Sequence, residues 1–377
     1  MIRILLGGDI YPAGRIFNAF VNGSAPEIFN NLLEELSTAD LSIANLECPL
    51  ITQSTAIDKD GPVLGTSTQC IKGFVASKWT ALNLANNHSF DHGSVGLLET
   101  IRTITGAGLG VLGAGMNLEQ AMTPMISIIN GQRIVIYAMA EHEFSVASVG
   151  TPGANPLDLL NFVNVIRRSK QQGIFIVLIH GGKEYYPYPS PEMVRRCRFM
   201  VDMGADAVVC CHTHCPLPWE IYKDRPIIYG LGNLIFESRT QNPDQWYQGY
   251  LARLTIMDGG ISFEPIPYYQ SKDQIGVRQM NPVERDDFLV KMAIRNAKIK
   301  DEALIRDLWS ELCRRQRGDY LSTLFGYNRV MCKLSGILLK MLHSKNDVLR
   351  ALNSVQCETH REMLEGILDY EKKTCRS

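Results

Sequence analysis

An apolar run ends in two histidines at Val208-Val209-Cys210-Cys211-His212-Thr213-His214. This run follows Gly204-Ala205-Asp206 and is rich in β-branched residues, which predicts a short buried strand. The two imidazoles then lie on a tight turn just beyond the strand. In open α/β sheets, ligands bind outside the carboxyl ends of the strands. The end of this strand is therefore the first place in the chain where we expect a functional site.

Four other apolar segments also end in polar motifs. These motifs are Gly8-Asp9, Asn45-Leu46-Glu47, Asn86-Asn87-His88 and His180-Gly181-Gly182. Strand ends on one edge of a sheet converge in space, so we expect all five motifs to form one cluster. Carboxylates, an amide oxygen and imidazoles together suit Mn, Fe or Zn ions. A bridging carboxylate would hold two such ions about 3.5–4 Å apart, as in sites that hydrolyse phosphorus or carbonyl centres.

Each motif also has a structural explanation when it is considered alone. Asp9 after two glycines could form a turn or cap a helix, and Asn86-Asn87 could form an Asx turn. His180 could be a hydrogen-bonded structural residue, and a His-x-His sequence also occurs by chance. Five such motifs in five similar contexts are difficult to explain independently. Their combination favours a metal site.

Residues near these motifs are candidates for contacting a substrate. Arg15 could pair with phosphate or carboxylate oxygens, since a guanidinium matches them bidentately, or it could be a surface arginine. Lys183, Glu184 and Tyr185 could line the substrate, and Glu184 could instead hold a ligand imidazole in place. Further residues with candidate pocket or supporting positions are His92, Glu141 and His142.

Composition restricts the class of protein. The 377 residues carry a formal net charge of −1, which gives no indication of a nucleic-acid-binding surface. The ten cysteines are irregularly spaced, which favours reduced thiols over a disulfide framework. No apolar run approaches the ~20 residues of a membrane span, and the apolar start Met1–Leu6 is too short for a signal peptide. We expect a soluble, cytoplasmic protein that has no integral membrane segment and can associate peripherally with a membrane.

Strand and helix patterns alternate in the first part of the chain, and consecutive strands follow between residues 220 and 266. This order predicts a mixed sheet or two stacked sheets with helices outside. The pattern also predicts a helix at Pro26–Leu36 with Ser24 as its N-cap. Another helix is predicted to begin at Pro191 with Ser190 as its N-cap. From about Asn281 the composition becomes helical.

Seven motifs follow one another in order along this chain. They are Gly8-Asp9 with Arg15, Asn45-Leu46-Glu47-Cys48-Pro49-Leu50, Ala85-Asn86-Asn87-His88 with Asp91-His92-Gly93, Gly113-Ala114-Gly115-Met116-Asn117-Leu118, His180-Gly181-Gly182-Lys183-Glu184-Tyr185, Gly204-Ala205-Asp206 with His212-Thr213-His214, and Gly230-Leu231-Gly232-Asn233-Leu234. The series resembles the CapA capsule-synthesis proteins, a bacterial family that is linked to poly-γ-glutamate and grouped with the calcineurin-like metallophosphatases. The resemblance extends from about Ile2 to Pro267.

The resemblance implies an α/β fold of the metallophosphatase type, a four-layer αββα sandwich over residues 1–281, followed by a helical C-terminal extension over residues 282–377. It also implies two divalent transition-metal ions bridged by Glu47. The implied ligands are Asp9 and His214 for one ion, and Asn87, His180 and His212 for the other. His88 would be the general acid beside the leaving group. Arg15 would serve catalysis and anion binding, and Asn233 would contact the substrate.

Together these features predict a metal-dependent, phosphoesterase-like hydrolase that acts on a phosphorylated or amide-containing anionic substrate, either small or polymeric. The resemblance implies a role in capsule or poly-γ-glutamate-type biosynthesis, with other capsule-synthesis proteins as partners. Two alternatives stay open. One is a γ-glutamyl amide hydrolase or transferase that uses the same pocket. The other is a non-catalytic, metal-stabilised scaffold of a polymer synthesis or export complex, with the helical extension as its docking element.

Overall fold

The computed structural model describes residues 1–170, 173–237, 242–257, 260–272, 274–324 and 344–356, together with residues 360, 363, 364 and 368. Its strands are β1 (Ile2–Tyr11), β2 (Leu41–Leu46), β3 (Leu50–Ile51), β4 (Thr66–Ser67), β5 (Ala81–Asn83), β6 (Gly110–Leu112), β7 (Ala114–Gly115), β8 (Met125–Ile129), β9 (Gln132–Ala140), β10 (Gly153–Ala154), β11 (Ile174–His180), β12 (Ala207–Cys211), β13 (Trp219–Tyr222), β14 (Arg225–Ile228), β15 (Asn233–Phe236), β16 (Gln248–Met257), β17 (Gly260–Gln270) and β18 (Val277–Gln279). Its helices are α1 (Phe17–Asn22), α2 (Ala25–Phe29), α3 (Leu33–Ser37), α4 (Ile71–Ala76), α5 (Gly93–Gly106), α6 (Leu118–Ala121), α7 (Leu159–Ser169), α8 (Pro191–Asp202), α9 (Pro282–Lys298), α10 (Glu302–Leu324) and α11 (Lys345–Gln356).

The first sheet has eight strands, in the order β18-β17-β16-β1-β2-β5-β6, and β15 also pairs with β1. Strands β1, β2, β5 and β6 run parallel to one another, whereas β16, β17 and β18 form an antiparallel continuation. Because the parallel strands share a direction, β1, β2 and β5 end at the same edge of the sheet.

The second sheet has six strands, in the order β13-β14-β12-β11-β9-β8. Strands β9, β11, β12 and β14 are parallel, and the antiparallel strands β8 and β13 form its two margins. All five residues of β12 are buried, as the apolar run in the sequence predicts. His180, the last residue of β11, pairs in register with Cys211, the last residue of β12.

The two sheets pack face to face around an apolar core. Side chains alternate between the two faces of a strand. Ile4 and Leu6 of β1 therefore enter the same core as Ile176 of β11 and Val209 of β12. Burial of each such aliphatic side chain contributes about 1.5–3 kcal/mol. This core fixes the two sheets together, and with them the strand ends.

Helices cover both outer faces. Leu5, on the opposite face of β1, packs in a second core with Phe20 of α1 and Phe74 of α4. On the outer face of the second sheet, Phe162 of α7 meets Phe175 of β11 edge to face, with ring centroids 6.4 Å apart. Helix α8 contacts β12 on that sheet. The order of layers is helices, sheet, sheet, helices, so the prediction of a four-layer αββα sandwich is confirmed.

The predicted start of the helix at Pro191 is also confirmed. Helix α8 begins at Pro191, and the hydroxyl oxygen of Ser190 accepts a hydrogen bond from the backbone N–H of Met193 at 3.1 Å. This side chain satisfies one of the amide groups that have no partner inside the first turn of a helix.

The prediction of one continuous helix over Pro26–Leu36 is wrong. The chain forms α2 and α3 instead, separated by a 3₁₀ turn at Asn30–Leu32. Asn30 has a positive φ of 43°, and its side-chain amide donates to the carbonyl oxygen of Val277 at 3.1 Å. The local sequence pattern favours a helix, but the contact of Asn30 with the distant strand β18 interrupts it.

Helix α9 belongs to the sandwich. It begins with a capping box, in which the Asn281 side chain accepts from the Glu284 amide and the Glu284 carboxylate accepts from the Asn281 amide. Phe288 and Met292 are buried in the core between the sheets. The chain divides into two compact units, Met1–Arg306 and Asp307–Ser377. The domain boundary after residue 281 stays a prediction, and residues 325–343 of the predicted extension lie outside the described residues.

Met292→Ala should lower the free energy of unfolding by about 2–5 kcal/mol, because it leaves a cavity in the core between the sheets. Val290, on the same helix, is 60% exposed, and Val290→Ala should change stability by no more than about 0.5 kcal/mol. Urea denaturation of the two variants and the wild type measures this difference. Equal midpoints for the two variants would show that α9 does not pack on the sheets.

Candidate metal centre

The ends of five strands from the two sheets meet at one place. Asp9 pairs in register with Asn45 near the end of β2, and Glu47 follows that strand directly. Asn87 lies in the loop that follows β5, His180 ends β11, and the turn with His212 and His214 follows β12. The structure therefore brings together the six side chains that the sequence predicts as metal ligands. These are Asp9, Glu47, Asn87, His180, His212 and His214.

Asp9 is completely buried. Its Oδ1 accepts a hydrogen bond from the side-chain amide of Asn45 at 2.8 Å, and its Oδ2 accepts from the backbone N–H of His212 at 3.1 Å. Nδ1 of His214 lies 3.9 Å from the same Oδ2. A carboxylate from the first sheet thus holds the histidine turn of the second sheet.

Glu47 is also completely buried, but its carboxylate is left without hydrogen bonds. Neither Oε1 nor Oε2 has a hydrogen-bond partner among the described residues. The nearest imidazole nitrogens are Nε2 of His180 at 3.5 Å and Nε2 of His214 at 3.9 Å, both measured to Oε1. Buried polar atoms are almost always hydrogen-bonded, and an exception in a native site points to a missing partner such as an ion.

His180 provides the nitrogen at which the second group of donors meets. Its Nε2 lies 2.9 Å from Oδ1 of Asn87 and 3.0 Å from Nδ1 of His212. Asn87 directs this oxygen toward the imidazole because its amide nitrogen donates to Glu143 at 3.2 Å. The tautomers of His180 and His212 decide which nitrogen donates in these contacts, and the three atoms lie close enough to one another to face a common point.

The histidine turn has a strained backbone. His212 has a φ of 99° and His214 a φ of 53°, both in the region that side chains with a Cβ atom rarely occupy. Such residues cost about 1–3 kcal/mol each and persist where the surrounding structure holds them. Here the Asp9 carboxylate binds the His212 amide, and Oδ1 of Asn233 lies 2.8 Å from Nδ1 of His214.

Gly8 permits the close approach of two chains behind the site. A Cβ atom at this position would lie 1.9 Å from the carbonyl oxygen of Gly232. Any other residue here would push β1 away from the loop that leads to Asn233, and Asp9 would move with it.

Two donor groups result, and they share one residue. One contains Asp9, Glu47 and His214, and the other contains Glu47, His180 and His212. The donor atoms of each group lie within 4.8 Å of one another, and all five residues are buried. Mixed carboxylate and imidazole donors fit a divalent transition metal. Glu47 belongs to both groups, and its oxygens have no hydrogen-bond partner among the described residues.

Burial shifts the pKa values of the titratable groups in this cluster. Burial, reinforced by the Glu47 carboxylate, raises the pKa of Asp9 to about 8, and burial likewise raises the pKa of Glu47 to about 8. Burial lowers the pKa of His180 and His212 well below the usual value. Burial also disfavours the charged form of His214, but Glu47 and Asp9 outweigh it and raise its pKa.

His88 follows Asn87 directly in the chain, and its Nδ1 contacts Asp91. Nδ1 is 2.7 Å from Oδ2 of Asp91, and the ring lines the cleft described below. The Asp91 carboxylate accepts two further hydrogen bonds, from the Lys59 ammonium at 2.7 Å and from the Leu64 amide at 2.6 Å. Nε2 of His88 is on the opposite edge of the ring from Asp91.

A cleft of about 910 Å³ opens beside the cluster. Asn87, His88 and His214 form part of its wall. Aromatic side chains form another part, where Tyr185 stacks on Trp246 with ring centroids 5.7 Å apart. The remaining aromatic and charged residues of the lining are Tyr11, Phe236, Arg15, Lys59, Asp60, Glu143, Glu184 and Glu237.

Arg15 lines this cleft with 53% of its side chain exposed. Its Nε donates to Oε1 of Glu237 at 3.1 Å, and its Nη2 donates to the carbonyl oxygen of Ser271 at 2.7 Å. These contacts fix the guanidinium at the solvent side of the cleft, whereas the metal-ligand candidates are at its buried side.

Of the other residues predicted to contact the substrate, some line the cleft and others do not. Glu184 and Tyr185 line the cleft, and Oε1 of Glu184 lies 3.9 Å from Nε2 of His212. Lys183 is not among the lining residues. Asn233 is completely buried behind His214, a position that orients the imidazole rather than one that contacts a ligand in the cleft.

Sequence reasoning overlooked several residues of the site. Asn45 orients Asp9, and its own Oδ1 accepts from the side-chain amides of Asn83 and Asn86 at 3.1 Å each. Glu143 lines the cleft, whereas its neighbour Glu141 accepts from the Gly182 amide. The remaining candidates are His142, which is exposed, and His92, whose Nδ1 accepts from the Thr55 amide. A strand-end motif identifies Asn45 in principle, but nothing local identifies Glu143.

The fold is a four-layer αββα sandwich. Buried histidine, aspartate and glutamate side chains lie at the adjoining edges of its two sheets, so the chain is an α/β protein with residues that could bind a metal. The sequence profile of the bacterial capsule synthesis protein family PGA_cap matches residues 3–238. The chain belongs to this family. The prediction of a CapA-like capsule-synthesis protein is confirmed.

Curated relatives carry related names. The capsule biosynthesis protein CapA of Bacillus anthracis is 30% identical over 63% of this chain and 60% of its own length. The PGA biosynthesis protein CapA of Bacillus subtilis (strain 168) is 26% identical over 80% of this chain and 76% of its own. A probable polyglutamine synthesis accessory protein of Mycobacterium tuberculosis (strain ATCC 25618 / H37Rv) is 27% identical over 54% of this chain and 57% of its own.

Among solved structures, a hypothetical protein from Thermus thermophilus aligns with a TM-score of 0.46 and 14% identity over 71% of this chain and 99% of its own. The 5'-nucleotidase from Candida albicans aligns with a TM-score of 0.39 and 10% identity over 84% of this chain and 58% of its own. Similarity at this level gives no information about activity. In the described part of the chain, no helix combines the length and the apolar character needed to cross a membrane.

Asp9→Ala and His212→Ala should each weaken metal binding at least about tenfold, because even residues that only support a ligand are worth 10–100-fold in affinity. Each variant removes a donor from a different group. Elemental analysis of the purified wild type and variants measures the effect, with the exposed His142→Ala as control. Equal metal content in the wild type and both variants would exclude the cluster as a metal site.

In metal-free protein, stability should fall as pH rises from 7 to 8. The pKa of Glu47 is 4.5 in its ordinary state and about 8 here, so the folded chain binds the extra proton in this range and loses that stabilisation as the proton leaves. The low pKa of His180 and His212 acts in the opposite direction only below about 6.5. Urea midpoints of chelator-treated Glu47→Gln should depend less on pH than those of the wild type and of the exposed control Glu34→Gln. The same pH dependence in all three proteins would contradict the raised pKa of Glu47.

Proposed function

We propose that this protein is a metal-dependent hydrolase that acts on a phosphorylated or amide-containing anionic substrate in the biosynthesis of a capsule or poly-γ-glutamate-type polymer. The two donor groups that share Glu47 support this most directly. The Glu47 carboxylate is completely buried and has no hydrogen-bond partner among the described residues, a position that is costly for an ionised group unless a cation compensates its charge.

Two ions of Mn, Fe or Zn fit the site. Asp9 and His214 would hold one of them, His180, His212 and the Asn87 oxygen the other, and Glu47 both. The thiols of Cys211 and Cys215 belong to neither of the two donor groups. When bound, such ions polarise a phosphoryl or carbonyl group and lower the pKa of an attacking water.

His88 is the proton donor to the leaving group. Its Nδ1 lies 2.7 Å from Asp91, which holds the ring in one orientation and leaves Nε2 on the edge away from that carboxylate. The ring lines the cleft, so a leaving group bound there is within its range.

The cleft binds the rest of the substrate. Arg15 is held by Glu237 and the Ser271 carbonyl, and it presents a fixed guanidinium to an anionic group at the mouth. Tyr185 and Trp246 form an aromatic wall beside His214. This wall excludes water from one side of the cluster. Other capsule-synthesis proteins are the proposed partners that supply or receive the substrate.

His88→Ala should lower kcat by about 10²–10⁴-fold, the usual contribution of a general acid. The metal content should not change, since the donor groups do not include His88. Turnover of phosphoesters and of γ-glutamyl amides, with Mn, Fe or Zn supplied, measures the effect, and His142→Ala is the control. Loss of metal from His88→Ala would make this residue a ligand instead of an acid.

The same assay separates the alternatives. Turnover of γ-glutamyl amides without turnover of phosphoesters would assign an amide hydrolase or transferase to the pocket. A wild type that binds metal but turns over neither substrate class would contradict the hydrolase and favour a metal-stabilised scaffold. In that case we expect the protein to bind other capsule-synthesis proteins, and this binding to require residues 282–377.

A further inference from the structure

One wall of the cleft is a segment to which the mechanism above assigns no role. Residues 52–64, which we call the strap, connect β3 to β4. Six consecutive strap residues line the cleft, from Lys59 to Leu64. The strap contributes no metal-ligand candidate and contains no regular helix or strand. Its position depends on the contacts that its residues make with the rest of the chain.

Those contacts converge on two residues just after His88. The Thr55 amide donates to Nδ1 of His92 at 3.0 Å, and the Thr55 hydroxyl donates to the His92 carbonyl at 2.7 Å. The Ile57 amide donates to the Asp91 carbonyl at 3.0 Å. The Leu64 amide donates to Oδ2 of Asp91 at 2.6 Å. The strap is therefore attached on both sides of Lys59 to the loop that carries the proposed general acid.

Lys59 is the central attachment. Its ammonium lies 2.7 Å from Oδ1 of Asp91, 3.3 Å from the Asn87 carbonyl oxygen and 3.4 Å from Nδ1 of His88. The side chains of Lys59 and Asp91 are each only 1% exposed. An ammonium group can only donate, so the carboxylate and the carbonyl are its acceptors. Nδ1 of His88 is occupied by its shorter contact with Asp91, and its approach to Lys59 is packing.

A buried ion pair of this kind is rarely explained by stability. The loss of hydration offsets much of the attraction, and an apolar pair of similar size is often as stable. A buried pair does fix geometry, because moving one charge away leaves the other buried without compensation, which is strongly unfavourable in free energy. Asp91 accepts from Lys59, Leu64 and the His88 ring at once. The orientation of His88 is thus tied to the position of the strap.

We propose that Lys59 is a positioning residue for the reaction: its ammonium fixes the Asp91 carboxylate against His88 and thereby links the position of the strap, one wall of the cleft, to the orientation of the general acid. This rests on the proposed function, in which His88 donates the proton. Lys59 itself acts through Asp91, and its nearly complete burial keeps it from being the main contact of a substrate anion.

The test compares Lys59→Met, which keeps the length of the side chain without its charge, with Lys59→Arg, which keeps a cation. Lys72→Met, at an exposed lysine of α4, is the matched control. The double variant Lys59→Met/Asp91→Asn leaves no unpaired buried charge and guards against a Lys59→Met that does not fold. Each protein is measured for kcat and KM on the substrate that the wild type turns over, for metal content, and for hydrogen exchange in residues 52–64.

Lys59→Met and the double variant should lose kcat about 10–100-fold, the range found for residues that orient a ligand or a catalytic group. KM should stay within about threefold, metal content should not change, and the strap should exchange faster. Lys59→Arg should recover most of kcat, and Lys72→Met should behave as the wild type does.

Three results would overturn the proposal. They are a folded Lys59→Met with the kcat of the wild type, a rise in KM at unchanged kcat, which would make Lys59 a substrate contact, and a loss of metal, which would place its effect on the ligands. A wild type without turnover would overturn the proposed function instead. Hydrogen exchange would then still test whether Lys59 holds the strap in place. Unchanged exchange in residues 52–64 of Lys59→Met would show that it does not.

Discussion

The burial of two carboxylates at the junction of two sheets is the constraint on which this structure depends. Asp9 and Glu47 are both completely removed from solvent, and an ionised carboxylate in such a place is costly unless it is paired and hydrogen-bonded. Asp9 has its hydrogen bonds from Asn45 and His212, but Glu47 has none among the described residues. Without a cation, burial raises the pKa of both groups to about 8, which favours their neutral forms; a bound cation would instead neutralise their charge.

The sandwich supplies the rigidity that such a site requires. The ligand candidates sit at the ends of strands whose other residues are locked in the core between the sheets, so they cannot separate to relieve repulsion. Strain is concentrated in the turn of the second sheet, where His212 and His214 have positive φ values. Because the Asp9 carboxylate of the first sheet holds that turn, the strained conformation and the packing of the two sheets depend on each other.

The part of the site built from strand ends was predictable from the sequence, and the part built from long-range contacts was not. An apolar run followed by a polar motif marks a strand end whatever its partners are, and this pattern located Asp9, His180 and the histidine turn. The contacts of Lys59 and Glu143 join them to side chains 32 and 56 positions away in the chain, and no periodicity of the sequence predicts pairs so far apart. The break between α2 and α3 has the same origin, since Asn30 is held by a strand that lies 247 residues further on.

The lining of the cleft bears on how an anionic substrate would bind in the proposed function. Among the described residues of the lining, the arginine and the lysine are each paired with a carboxylate, Arg15 with Glu237 and Lys59 with Asp91. Glu143 and Glu184 add negative charge to the same lining. An anion would therefore meet little net positive charge from the described lining, and in the proposed function much of the attraction would come from cations held by the buried carboxylates. In the proposed function the buried carboxylates would thus have two roles, because the cations that they hold would also attract the anionic substrate toward His88.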